Sequence, residues 1–143
     1  MLKSEDREQQ TEQKEELMSG RIMSFRELKV CRAAFELQQR IFNFNVTKSF
    51  PKEEMYSLTD QFRRSYRSVG ASLGEAWQKR RYAGHFVSKL TDADGEQAET
   101  QHWIGTAFAC QYITDQVRGE LLVASVTSVL VLVLVLALWS RGL

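Results

Sequence analysis

From Val30 the apolar residues recur at Ala34, Leu37, Ile41 and Phe44, in steps of four and three. That spacing places them on one face of a helix. Phe35 and Phe42 widen the stripe. Ser24 followed by Glu27 reads as a capping box, so the pattern predicts a helix from Phe25 that ends near Asn43 to Asn45. A second stripe runs through Met55, Leu58, Phe62, Ser65 or Tyr66, Val69, Leu73 and Ala76. Pro51 suits the first turn of that helix, and Glu53 and Glu54 sit where the helix dipole favours acids. Gly70 and Gly74 lie one turn apart within it. Each lowers helix propensity by roughly 1 kcal/mol against alanine, which implies a kink, expected at Gly70, or close approach of a neighbour.

Lys79, Arg80 and Arg81 predict a turn. The third stripe is Phe86, Leu90, Ala93, Gln97, Thr100, Ile104, Ala107 and Phe108, with Gly95 weakening its centre. Thr114 predicts the cap of a fourth helix. Then the composition changes: Leu121 to Trp139 carries no charge. At about 1.5 Å per residue that run nearly spans a hydrocarbon core. It reads as a membrane tail or as a fourth helix buried in a bundle or an oligomer. The abruptness of the change, ending in SRGL, also fits an altered reading frame. Length and absence of charge favour membrane or membrane-like burial.

Residues 1–20 are polar, with no apolar stripe, and read as a disordered or loosely helical extension without the apolar core of an export signal. The expected organisation is a polar extension over 1–20, a helical unit over 21–120 and an apolar helix over 121–143. A single proline and only eight glycines fit long helices rather than a turn-rich β fold. Cys31 and Cys110 are read as reduced thiols of a cytoplasmic protein.

A net charge of +1 conceals segregation. Residues 25–90 carry 13 basic and 6 acidic side chains, whereas residues 91–120 carry 1 and 6. A basic middle can steer an anionic partner, or simply pack beside an acidic helix.

The ordered runs FRELKV, FPKEEMYSLTDQFRRS, GEAW, RRYAGHFVSKLTDADGEQAE and the stretch from Trp103 to Tyr112 resemble the family of the 23S ribosomal RNA intervening-sequence protein, over roughly Phe25 to Ile113. The resemblance implies an all-α fold, an antiparallel up-down four-helix bundle that assembles into rings, notably pentamers. A related branch, the accessory proteins of diversity-generating retroelements, binds a reverse transcriptase and nucleic acid. The family pattern commonly has proline where Gly70 stands and asparagine where Ser72 stands, and an amphipathic fourth helix where this chain turns wholly apolar.

The candidate nucleic-acid contacts are Arg63, Arg64 and Arg67 on the second helix with Lys79, Arg80 and Arg81 at the turn, because arginines three or four apart share a helix face and can grip successive phosphates. The competing expectation is that they pair with the acidic third helix. Glu99 and His102 form one Glu-x-x-His pair, but a bundle metal site needs a second, so neither metal nor cofactor is expected. Tyr66, Trp77, Tyr82 and Trp103 are better read as core or interface than as base-stacking residues. No residue constellation points to a reaction. The reading is a non-catalytic, oligomeric accessory protein that contacts RNA or DNA, with a structural module anchored to a membrane through Leu121–Trp139 as the alternative.

Overall fold

The computed structural model describes residues 23–43 and 46–125. All regular structure among these residues is helical. Helix α1 is Lys29–Asn43, α2 is Leu58–Gln78 and α3 is Ala83–Ala109. Residues 115–125 are also helical and are called α4.

The starts of α1 and α2 differ from the sequence expectation, for local reasons. Ser24 does act as a cap, accepting from Arg26 N at 3.3 Å, but it caps a 3-10 turn, Phe25–Glu27. Glu27 reaches back to the N–H of Met23 at 3.2 Å rather than to Ser24. Leu28 is extended, so α1 begins at Lys29. Pro51 likewise opens a 3-10 turn, Lys52–Glu54. Glu54 then serves the start of α2: its carboxylate accepts from the Ser57 hydroxyl and, at 3.4 Å, from Leu58 N. Those donors, with the Tyr112 hydroxyl at 3.2 Å, hold Glu54 below the usual carboxylate range. Because α2 starts after this turn, Met55 stays exposed and leaves the expected stripe.

Buried residues follow a four-three rhythm on each long helix: Val30, Ala34, Leu37 and Ile41 on α1, and Phe86, Leu90, Ala93, Gln97, Thr100, Ile104 and Ala107 on α3. A mean spacing of 3.5 keeps one seam facing its neighbour along the helix length. Gly70 and Gly95 interrupt neither α2 nor α3. Close approach belongs to Gly74, which faces the Phe25 ring so nearly that a methyl group there would touch it at 3.6 Å. α2 and α3 run antiparallel, since Glu75 meets Lys89 at one end of the pair and Arg64 meets Glu96 at the other.

The core has two apolar parts. One joins Val30, Ala34, Val69, Leu73, Phe86 and Leu90. The other joins Leu37, Ile41, Phe62, Tyr66, Ile104 and Leu121. Fully burying each large side chain here contributes about 1.5–3 kcal/mol. Phe50 docks the segment before α2 onto the second part, its ring 6.0 Å from Phe62 and 5.5 Å from Tyr112. Between the two parts on α2 and α3 lies a polar layer of Ser65, Gln97, Thr100 and Ser125, all buried. Gln97 Nε2 donates to Ser125 O at 3.0 Å and lies against the Ser125 hydroxyl, and Gln101 Nε2 donates to that hydroxyl at 3.0 Å. Leu121 and Ser125 are fully buried whereas Val123 is exposed, so the start of the uncharged run lies in α4 with one face toward the core.

Two local devices close α3 and open α4. Gln111 has φ 62°, with Tyr112 N donating to Ala107 O and Gln111 N to Phe108 O, both at 2.9 Å. This is a Schellman ending built on a residue other than glycine. Thr114 Oγ1 accepts from Val117 N at 3.2 Å, capping α4 as expected. Among the described residues no helix is long and apolar enough to cross a membrane. Residues 126–139 of the uncharged run, and the polar extension over 1–20, lie outside the described residues.

Candidate nucleic-acid interface

The six candidate cations do not form one patch. Arg63 and Arg67, one turn apart on α2, both face the cleft between α2 and α1, where they line a small hollow with Phe42, Thr47, Lys48 and Tyr66. Arg63 donates to Thr47 Oγ1 through Nη2 at 3.0 Å and Nε at 3.3 Å. The Arg67 guanidinium lies over the Tyr66 ring, 5.6 Å from its centroid. Among the described residues neither arginine pairs with a carboxylate, and both are exposed.

Arg64 sits one residue round the helix and points the other way. It meets Glu96 Oε1 at 3.2 Å and Glu99 Oε1 at 2.6 Å on α3. The Trp103 indole N–H donates to the same Glu99 oxygen at 3.0 Å. Glu99 is held below the usual carboxylate range by the indole first and by Arg64 after it. For Arg64, the expectation of pairing with the acidic third helix describes the geometry. Glu99 is thereby committed, while the exposed His102 packs edge-on against Trp103 at 4.8 Å. Among the described residues no group of three or more His, Cys, Asp or Glu side chains is placed to hold a metal ion.

Lys79, Arg80 and Arg81 occupy the expected turn after α2, about 18 Å along the helix from Arg67 at 1.5 Å per residue. Arg80 stacks on Trp77 at 4.1 Å and donates to Trp77 O at 2.8 Å, so it satisfies a carbonyl at the helix end. Lys79 and Arg81 are exposed. The acids on either side of the turn are partly matched: Lys89 bridges Glu75 of α2 at 2.9 Å and Asp92 of α3 at 3.2 Å.

The aromatic residues divide differently from the expectation. Tyr66 is core, and Trp77 and Trp103 are half-buried, but Tyr82 is exposed. Phe35 and Phe42, expected to widen the α1 stripe, are instead 60% and 65% exposed. They sit one position beyond Ala34 and Ile41, about 100° round the helix, so they flank the seam rather than enter it. That offset was available in the sequence, but which flank stays open depends on where α2 and the segment after α1 pack.

Residues 26–129 match the family described as 23S rRNA-intervening sequence protein. The chain belongs to that family. The match extends past Leu121 into the uncharged run. Among solved structures, the chain is similar to a protein of unknown function from the S23 ribosomal protein family of Bacteroides thetaiotaomicron, at 26% identity and a TM-score of 0.65, covering 74% of this chain and 93% of that one. No curated protein matches.

Proposed function

We propose that this protein is a non-catalytic, oligomeric accessory protein that contacts nucleic acid through basic side chains of α2. The observation that carries the reading is the adjacent pair Arg63 and Arg67, exposed on one helix face, with no carboxylate partner among the described residues. Arginines placed so can each hold a phosphate oxygen with paired N–H donors. Lys79 and Arg81 offer a second, separate anchor for the same backbone. The monomer unit is read as an antiparallel up-down four-helix bundle, and the family supports assembly into a ring such as a pentamer. A membership named for ribosomal RNA supports RNA as the first ligand to try.

The test is fluorescence anisotropy of the full chain with labelled RNA and DNA across a salt series. Affinity should fall steeply as salt rises, since bound phosphates release counterions. Arg63→Ala with Arg67→Ala should weaken binding and flatten that slope, while Arg64→Ala should leave it nearly unchanged. A signal indifferent to salt overturns the reading.

A second reading, a structural module anchored to a membrane, draws on the uncharged run from Leu121 to Trp139. The burial of Leu121 and Ser125 favours the bundle for the start of that run. Sedimentation with vesicles of the full chain, against a chain ending at Glu120, separates the two: co-sedimentation that the truncation abolishes supports the anchor.

A further inference from the structure

We infer that the trough between α1 and α2 receives an unpaired nucleic-acid strand, with its bases on Phe35 and Phe42 and its phosphates on Arg32, Arg63 and Arg67. The inference rests on the nucleic-acid reading above and names the strand form and the side chains that select it.

Three clefts follow one another along this face and share residues. The largest, about 550 Å³, is lined by Phe25, Cys31, Arg32, Phe35, Arg67 and Gly70. The next, about 260 Å³, is lined by Gln38, Gln39, Phe42, Tyr66 and Arg67. The smallest, about 70 Å³, adds Thr47, Lys48 and Arg63. Arg67 borders all three, so they form one trough rather than separate hollows. Among the described residues that line it, the cations are Arg26, Arg32, Arg63, Arg67 and Lys48, and the one acid is Glu36. Phe35 and Phe42 stand two turns apart on its α1 wall, about 10 Å along the axis, with most of each ring open to solvent.

Aromatic faces interleaved with cations are what a single strand needs, because every unpaired base offers a stacking face. A duplex has its base faces stacked away and offers these rings little, though its phosphates still attract the arginines. An acidic amphipathic helix, including α3 of a second copy, matches the charge but not the surface: it needs an unbroken apolar groove, and here Gln38 and Gln39 separate the two rings. Those amides can instead hydrogen-bond base edges. Gly70 has no heavy atom near the position of a Cβ, which leaves the floor of the largest cleft open.

The experiment measures anisotropy of the full chain with a short labelled oligouridylate and with an RNA duplex carrying the same number of phosphates. The unpaired strand should bind about tenfold tighter or better. Phe35→Ala and Phe42→Ala should each weaken the strand about tenfold, the scale of a lost base stack, and leave the duplex unchanged. Gly70→Leu should block the strand without touching a ring or a charge. Circular dichroism and light scattering check fold and assembly for each variant. If the phenylalanine and Gly70 variants keep full strand affinity while Arg63→Ala with Arg67→Ala still weakens binding, the trough is not the strand site and only the broader reading survives. Loss of assembly in the phenylalanine variants at unchanged strand affinity makes this face a contact between copies and overturns the inference. No binding of either RNA, nor of a single strand and a duplex of DNA of the same length, removes both proposals.

Discussion

Arg64 on α2 and Glu99 on α3 meet at 2.6 Å, and Trp103 donates to the same carboxylate oxygen. This clamp turns one of three neighbouring arginines toward α3 and leaves Arg63 and Arg67 on the opposite flank. Exposed ion pairs contribute little, so Arg64→Ala should cost about 0.5–1 kcal/mol in urea unfolding. Glu99 is ionised more readily when folded than when unfolded. Its contribution is therefore present above the ordinary carboxylate pKa and is lost as pH falls through the lowered folded value. Melting temperatures from neutral pH down to about pH 3, below the ordinary value near 4.3, should drop further for the wild type than for Glu99→Gln.

The two cysteines should react very differently. Burial pushes the Cys31 thiol up to about 11, whereas Cys110 is exposed. A thiol-specific reagent at mildly alkaline pH should label Cys110 promptly and Cys31 only on unfolding, because the thiolate is the reactive form. The raised value has a stability consequence of the opposite sign to that of Glu99: it is complete below the unfolded thiol pKa and lost as pH rises toward 11. Cys31→Ala should flatten the alkaline part of the stability profile.

Gln111 holds the left-handed position of the α3 Schellman ending. A side chain there costs roughly 1 kcal/mol or somewhat more relative to glycine. Gln111→Gly should raise stability by about that amount, read from the urea midpoint at unchanged slope; no gain would mean that side-chain contacts of Gln111 offset the strain.

Gly70 and Gly95 are helical, with open space where a methyl would lie. Gly70→Ala and Gly95→Ala should each stabilise by about 0.5–1 kcal/mol through helix propensity.

The polar layer ties α4 to α3. Gln97→Ala removes the donor to Ser125 O and opens a small cavity, and should cost about 1–3 kcal/mol. Hydrogen exchange should quicken in residues 115–125 more than in α1. Uniform acceleration would show that the layer stabilises the whole core rather than the docking of α4.

Residue spacing and short-range signals were enough to predict the helical class, the seams and the joints. Val30, Leu37, Phe62, Leu73, Leu90 and Ile104 were legible because burial on a helix imposes a periodicity that composition records directly. Lys79 to Arg81 as a turn and Thr114 as a cap were legible because such signals act over a few residues. Tertiary structure decided what depends on a second element. Local periodicity cannot tell that Arg64 turns to α3 while Arg63 and Arg67 face α1, because adjacent positions separate by 100° and only packing gives each direction a neighbour. For the same reason Phe35 and Phe42 read as core from spacing and stand at the surface: a stripe has two flanks, and the placement of α2 covers one. Ser65, Gln97 and Thr100 fall on the predicted stripes, but only packing shows how they are paired: Thr100 meets Ser65 across α2 and α3 at 3.1 Å, and Gln97 reaches Ser125 O on α4 at 3.0 Å, because buried polar groups need partners that spacing along one helix does not specify.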